Sequence, residues 1–316
     1  NLKINQPTFI GNYASYGLFS SLFGTVENLN IVNAVVTTDH LDDSNLRSQI
    51  LIGTISGQMN HAIINNVHVN SQINVSGSLD AISQLSIGGL VGEGSGSVNN
   101  STTNGSLIAG THIYDANSNY ASVGGMIGTA DMLTMTNVIN AMDVEGISFS
   151  APNSSQVYLG GVIGSGSVEA IDKIVNQGDI TSNQENQYLN MIKIGGLFGQ
   201  LTDIKQTLSF AYNSGAINIV LESPIDADIA GIGSINNPTE DVILRSLTND
   251  GTIAFVHPDG TTLTEQELSL MTINVSGVLI TNSTNGLIEG LFNQSNLNLD
   301  LDVIDRIAAT LIGSNT

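Results

Sequence analysis

The stretch IGGLVG at Ile87–Gly92 returns along the chain as VGGMIG at Val123–Gly128, LGGVIG at Leu159–Gly164, IGGLFG at Ile194–Gly199 and a looser IAGIG at Ile229–Gly233. Taking the residue after the first apolar position, the copies stand at 88, 124, 160, 195 and 230, in steps of 36, 36, 35 and 35. Two weaker copies extend the series upstream, IGTI at Ile52–Ile55 and YGLF at Tyr16–Phe19. So constant a period is the signature of a repeat architecture, in which each unit buries its apolar face against its neighbours. Glycine pairs speak against helical repeats, since each costs about 1 kcal/mol inside a helix.

A second element follows in phase: Asn104-Gly105, Asn176-Gln177-Gly178, Asn213-Ser214-Gly215 and Asn249-Asp250-Gly251. Asn and Gly tolerate positive φ, so each of these predicts a corner between two short strands. The flanking runs, Ile217-Asn218-Ile219-Val220 and Ile73-Asn74-Val75, alternate apolar and polar with the period of a strand. The expectation is an all-β, right-handed β-solenoid of seven to eight coils of 35–36 residues. Residues 1–256 form the repeats, 257–272 an inserted turn and short helix opening at the capping box Thr264-Glu265-Gln266-Glu267, and 273–316 the last coil with a helical cap. That cap is predicted from Leu299, Val303, Ile307 and Leu311, which fall on one helical face before Gly313. Asn1–Phe9 lies outside the repeat and is expected to be a first strand, with pairing to a neighbouring molecule as the alternative.

The stretch Ile87–Gly110, IGGLVGEGSGSVNNSTTNGSLIAG, resembles the GLUG repeat of bacterial surface proteins, and the resemblance runs over about residues 10 to 256. It implies a right-handed β-solenoid of the kind found in adhesins and cell-wall-attached proteins, and it brings no catalytic residues with it. The first two units and the last depart from the pattern.

Composition narrows the function. Hydrophobic residues make up 41%, but aromatics only 5% and Trp is absent, so Ile, Val, Leu and Ala must fill the interior. Charged residues are 11%, against roughly 25% in ordinary soluble domains. With 7 Lys plus Arg against 28 Asp plus Glu, the net charge of −21 repels nucleic acid and anionic lipid. There is no Cys and no apolar run long enough to span a bilayer. The chain opens at Asn1 without Met, as a processed or excised piece does.

Candidate sites are few. Asp39, Asp42 and Asp43, beside His40, form the densest acidic cluster; their carboxylates and the loop carbonyls are candidate calcium ligands, although the spacing matches no EF-hand. Asp226 and Asp228 project to one side of a strand and read as a solvated edge. The five histidines, His40, His61, His68, His112 and His257, show no ligand spacing, although His61 and His68 are placed to approach one another. No nucleophile elbow appears, and Lys3, Arg47, Lys173, Lys193, Lys205, Arg245 and Arg306 are scattered singly. The reading is a non-enzymatic, extracellular structural or adhesive module that self-associates through its coil ends as a fibre or surface-layer subunit. The alternatives are an adhesin that binds a neutral glycan or a host protein without polymerising, with the loops near 39–47 and 112–121 as contacts, and a carbohydrate-active enzyme.

Overall fold

The structure is a computed structural model that describes all residues except 1, 6–7, 11–12, 39–48, 81–83, 116–119, 151–155, 185–190, 222–225, 237–241, 257–271, 282–286, 295–296, 299–306 and 314–316. The described residues form strands and turns, without a helix. The calcium candidates Asp39, Asp42 and Asp43, His40, the 264–267 capping box and most of the 112–121 loop lie outside them or have undescribed side chains.

The chain winds as a parallel β-solenoid. Each coil begins with a short first arm: Gln49–Gly53, Gln84–Gly88, Tyr120–Gly124, Gln156–Gly160, Met191–Gly195 and Asp226–Ala230 stack parallel on one another. The repeat phase read from the sequence is the hydrogen-bond register, since Gly53, Gly88, Gly124, Gly160, Gly195 and Ala230 are direct partners. A tight turn follows, and a long ribbon then makes the second and third arms, as in Ser56–Asp80 and Ile127–Ser150. These ribbons are longer than ordinary strands because they bend without losing their pairing. The bend is a residue in the left-handed conformation, stacked through the coils: Asn28, Asn66, Asn100, Asn137, Lys173, Phe210, Ser246 and Gly290.

Two apolar columns run the length of the stack. In one, Ile87, Val123, Leu159 and Ile194 of the first arms face Leu107, Met142, Val144 and Ile180 of the third arms. The other is enclosed by the turn and second arm, with Leu90, Met126, Val162 and Leu197 following the glycine pairs inward beside Val98, Met135 and Ile171. Where the columns meet, the coil is pinched by Asn140, Asn176, Asn213 and Asn249, all fully buried. Their side chains form a ladder. Asn140 Nδ2 donates to Asn176 Oδ1 (2.7 Å), Asn176 to Asn213 (2.9 Å), Asn213 to Asn249 (2.7 Å) and Asn249 to Asn293 (3.0 Å). The same amide groups donate to the carbonyls of Met142, Gly178 and Gly215.

This ladder explains the second glycine of each pair. A Cβ on Gly125, Gly161, Gly196 or Gly231 would run into the amide of Asn140, Asn176, Asn213 or Asn249 and, for the first three, into the backbone of the next coil as well. The expected breaks between strands are present, since strands end at Asn176, Asn213 and Asn249 and resume at Ile180, Ile217 and Ile253. The asparagines there do not take the positive φ expected of them; they are buried hydrogen-bonding residues, and of the paired glycines Gly105 alone takes a left-handed φ.

Two further expectations are corrected. The fully regular part of the solenoid amounts to about five turns, not seven to eight, because the outer coils have shortened or interrupted arms. The expected C-terminal helix is not supported: among the described residues, Ile307–Gly313 is a strand that pairs parallel with Ile273–Leu279. The open edge of the preceding coil offers that segment hydrogen bonds along its whole length, whereas a lone short helix is marginal in water.

Candidate functional site

Two regions concentrate functional groups. The first is a polar seam. The outward residues of the first arms, Ser86, Ser122, Tyr158, Lys193 and Asp228, are in register, yet none faces open solvent. The start of each second arm folds over them, and a Cβ on Gly128 or Gly164 would strike the first-arm backbone at Ile87 or Val123. The facing row is Thr129, Ser165, Gln200 and Ser234. Hydroxyls meet across the seam, Ser86 Oγ with Thr129 Oγ1 at 2.7 Å and Ser122 Oγ with Ser165 Oγ at 2.8 Å. Burying these groups is tolerable because they are paired.

At the margin of the seam, Gln49 Nε2 donates to Gln84 Oε1 (3.0 Å), and Gln84 Nε2 to Glu93 Oε2 (2.7 Å) and Ser86 Oγ (3.0 Å). Burial pushes the Glu93 carboxyl above the ordinary glutamate value; the bond from Gln84 works against that rise, and the charge of Asp131 adds to it. Burial likewise raises the phenols of Tyr120 and Tyr158, the latter to about 12. Tyr158 donates to Gln156 Oε1.

Further along, Lys193 Nζ lies 3.6 Å from Asp228 Oδ2, and Asn274 Nδ2 donates to Asp228 Oδ1 (2.9 Å). Asp228 is therefore not on a solvated edge, as its alternation with Asp226 suggests. The overlying second arm covers the outward face of the strand, and Lys193 and Asn274 on the neighbouring rungs take up its oxygens. The signal was available in the 35-residue step from Lys193 to Asp228, which sets opposite charges on adjacent rungs. His61 and His68 do not meet: His61 Nδ1 reaches Ser95 Oγ (3.3 Å), and His68 Nδ1 reaches Thr102 Oγ1 (2.9 Å). Among the described residues no group of three or more His, Asp or Glu is placed to hold a metal, and no helix is long and apolar enough to cross a membrane.

The second region is the N-terminal end of the stack. Two of its three arms are covered by the chain's own residues: Lys3–Ile4 pairs parallel with Val35–Val36, and Thr8–Ile10 pairs antiparallel with Tyr13–Ser15. The N-terminal segment thus folds back on its own first coil. Between these covers, Phe19–Leu22 and Thr25–Ile31 are paired on the inner side with Ser56–Val69. No outer partner stands against them among the described residues. Leu18, Phe19, Phe23 and Val32 are exposed there, Phe23 at 73%, and Leu29 half-closes the second apolar column.

The fold and these two regions define a parallel β-solenoid with a closed polar seam and a half-covered coil end. The chain matches no protein-family model, no curated protein and no solved structure.

Proposed function

We propose that the chain is an extracellular structural or adhesive surface module, a right-handed rod of the GLUG-repeat kind that makes its contacts through the uncovered part of its coil end. The observation that carries this reading is the edge of Phe19–Ile31, which has no outer partner among the described residues, beside exposed Leu18, Phe19 and Phe23. An open strand edge beside exposed aromatics is a ready site for another polypeptide strand or a second copy of the chain, since it offers unpaired backbone groups and apolar area together. Right-handed winding is what parallel crossover connections adopt. A net-acidic surface rich in Asn, Ser and Thr, with little cationic charge, does not suit nucleic acid.

Sedimentation velocity and negative-stain imaging of the full chain test the reading. The wild type is expected to self-associate with rising concentration through the coil end, and a Phe19→Asp, Phe23→Asp variant to remain a single short rod. Both residues are exposed, so the variant should fold. A wild type that stays monomeric at every concentration removes the self-associating form of the proposal.

A further inference from the structure

We propose that Lys193 and Asp228 condense into an amide bond that welds two successive coils. The two side chains stand on directly paired rungs, with Nζ 3.6 Å from Oδ2. Lys193 is 12% exposed and Asp228 3%, whereas the pairs Lys173–Asp172, Lys205–Asp203 and Arg245–Glu289 all lie open to water. Asn274, on the next rung, donates to the other oxygen of Asp228 at 2.9 Å and so fixes the carboxyl plane.

Condensation runs from the amine and the carboxylic acid, which the passage of one proton from Nζ to the carboxyl across the 3.6 Å contact supplies. The amine lone pair then attacks Cγ. Strand register holds the two groups near contact, which removes most of the entropy cost of bringing them together. Charge that builds on Oδ1 is met by the Asn274 amide hydrogen. A second Nζ proton passes to the departing hydroxyl, one Cγ–O bond breaks, one Nζ–Cγ bond forms, and one water leaves. No oxidant or co-reactant enters the balance. Ser234 Oγ is buried without a hydrogen-bond partner, on the row that faces the first arms.

The test is the mass of the intact full chain, measured after denaturation so that the result does not depend on how well a variant folds. The expected result is a deficit of one water in the folded wild type. After proteolysis a branched peptide should join the segments around 193 and 228. The deficit should vanish in Lys193→Arg, in Asp228→Ala and in wild type held in denaturant from synthesis onward. A wild type at its full sequence mass overturns the proposal, and so does a water deficit that maps to an aspartyl succinimide.

Discussion

Up to Asn137 the left-handed corner of each coil is held by asparagine: Asn28, Asn66, Asn100 and Asn137 sit at φ of 55, 54, 48 and 53°. Beyond it, Lys173, Phe210 and Ser246 take the same corner at 58, 51 and 52°. The buried ladder is arranged the other way round. It starts at Asn140, in the same coil as Asn137, and continues through Asn176, Asn213 and Asn249, whereas the earlier coils have Thr103 and Ser71 near the pinch. In the coil of Ser71 the second glycine is also replaced, by Thr54, whose Oγ1 donates to Ser71 Oγ at 3.1 Å. A short serine leaves room for a side chain where the asparagine amide does not. One half of the solenoid thus spends its asparagines on backbone conformation at the surface, where their amides link Asn66 to Asn28 and Asn137 to Asn100. The other spends them on a buried hydrogen-bond chain.

The difference predicts unequal costs for the same substitution. Asn176→Ala removes the donor to Gly178 and Asn213 and the acceptor of Asn140, all in a dry interior. Leaving such groups unpaired should lower the unfolding free energy by about 3 kcal/mol. Asn100→Ala takes away an exposed amide and leaves alanine in a left-handed corner, at about 1 kcal/mol. Denaturant melts of the two variants decide the matter. Equal losses would mean that the inner ladder is no more than a second copy of the outer one.

The Gly-Gly spacing was legible because it is the register itself: a first arm that slipped by one residue would turn Leu85 and Ile87 out of the column and bring Ser86 in. The role of the second glycine was not legible, because it depends on an asparagine fifteen or more residues later in the same coil, and Asn followed by Gly reads locally as a turn. The corner series at Asn28, Asn66, Asn100 and Asn137 recurs in uneven steps of 38, 34 and 37 residues and then dissolves into Lys, Phe and Ser, so spacing and residue type both hide it. The C-terminal strand failed for a different reason. Ile307-Ala308-Ala309-Thr310-Leu311-Ile312 is apolar at both helical and strand periods, and a paired edge decides between them. The seam was missed because alternation assigns one face of a first arm to solvent, and the second arm that covers it is contributed by a different part of the coil.

The later corners offer a gain where the earlier ones offer a loss. Phe210 is exposed and gives up little packing when replaced, yet it holds a conformation that costs a non-glycine, non-asparagine residue free energy. Phe210→Asn and Lys173→Asn should each raise stability by up to about 1 kcal/mol, and Asn at 173 would extend the outer amide ladder from Asn137. If neither variant melts higher than wild type, the corner residues are not under strain and the contrast between the halves is one of composition alone.

The smallest expected effect tests how the two halves treat a buried carboxylate. Asp228 is met by a cation, whereas burial raises the pKa of Glu93, the Gln84 amide opposes that rise and the charge of Asp131 adds to it. A carboxyl whose folded pKa exceeds its unfolded one binds its proton more tightly in the folded state. Its contribution is therefore most favourable below the ordinary value of 4.5 and is lost as pH climbs through the raised value. Wild type should gain stability on mild acidification just above 4.5, partly from this group and partly from relief of the general negative charge. Glu93→Gln keeps an acceptor for Gln84 and carries no charge, so it should be the more stable protein at neutral pH and lose the part of the slope that belongs to Glu93. Thermal melts of both proteins across that window separate the terms, because the general charge relief is common to them. Parallel curves would show that Glu93 is as well solvated as a surface carboxylate and that the seam is open to water at its N-terminal end.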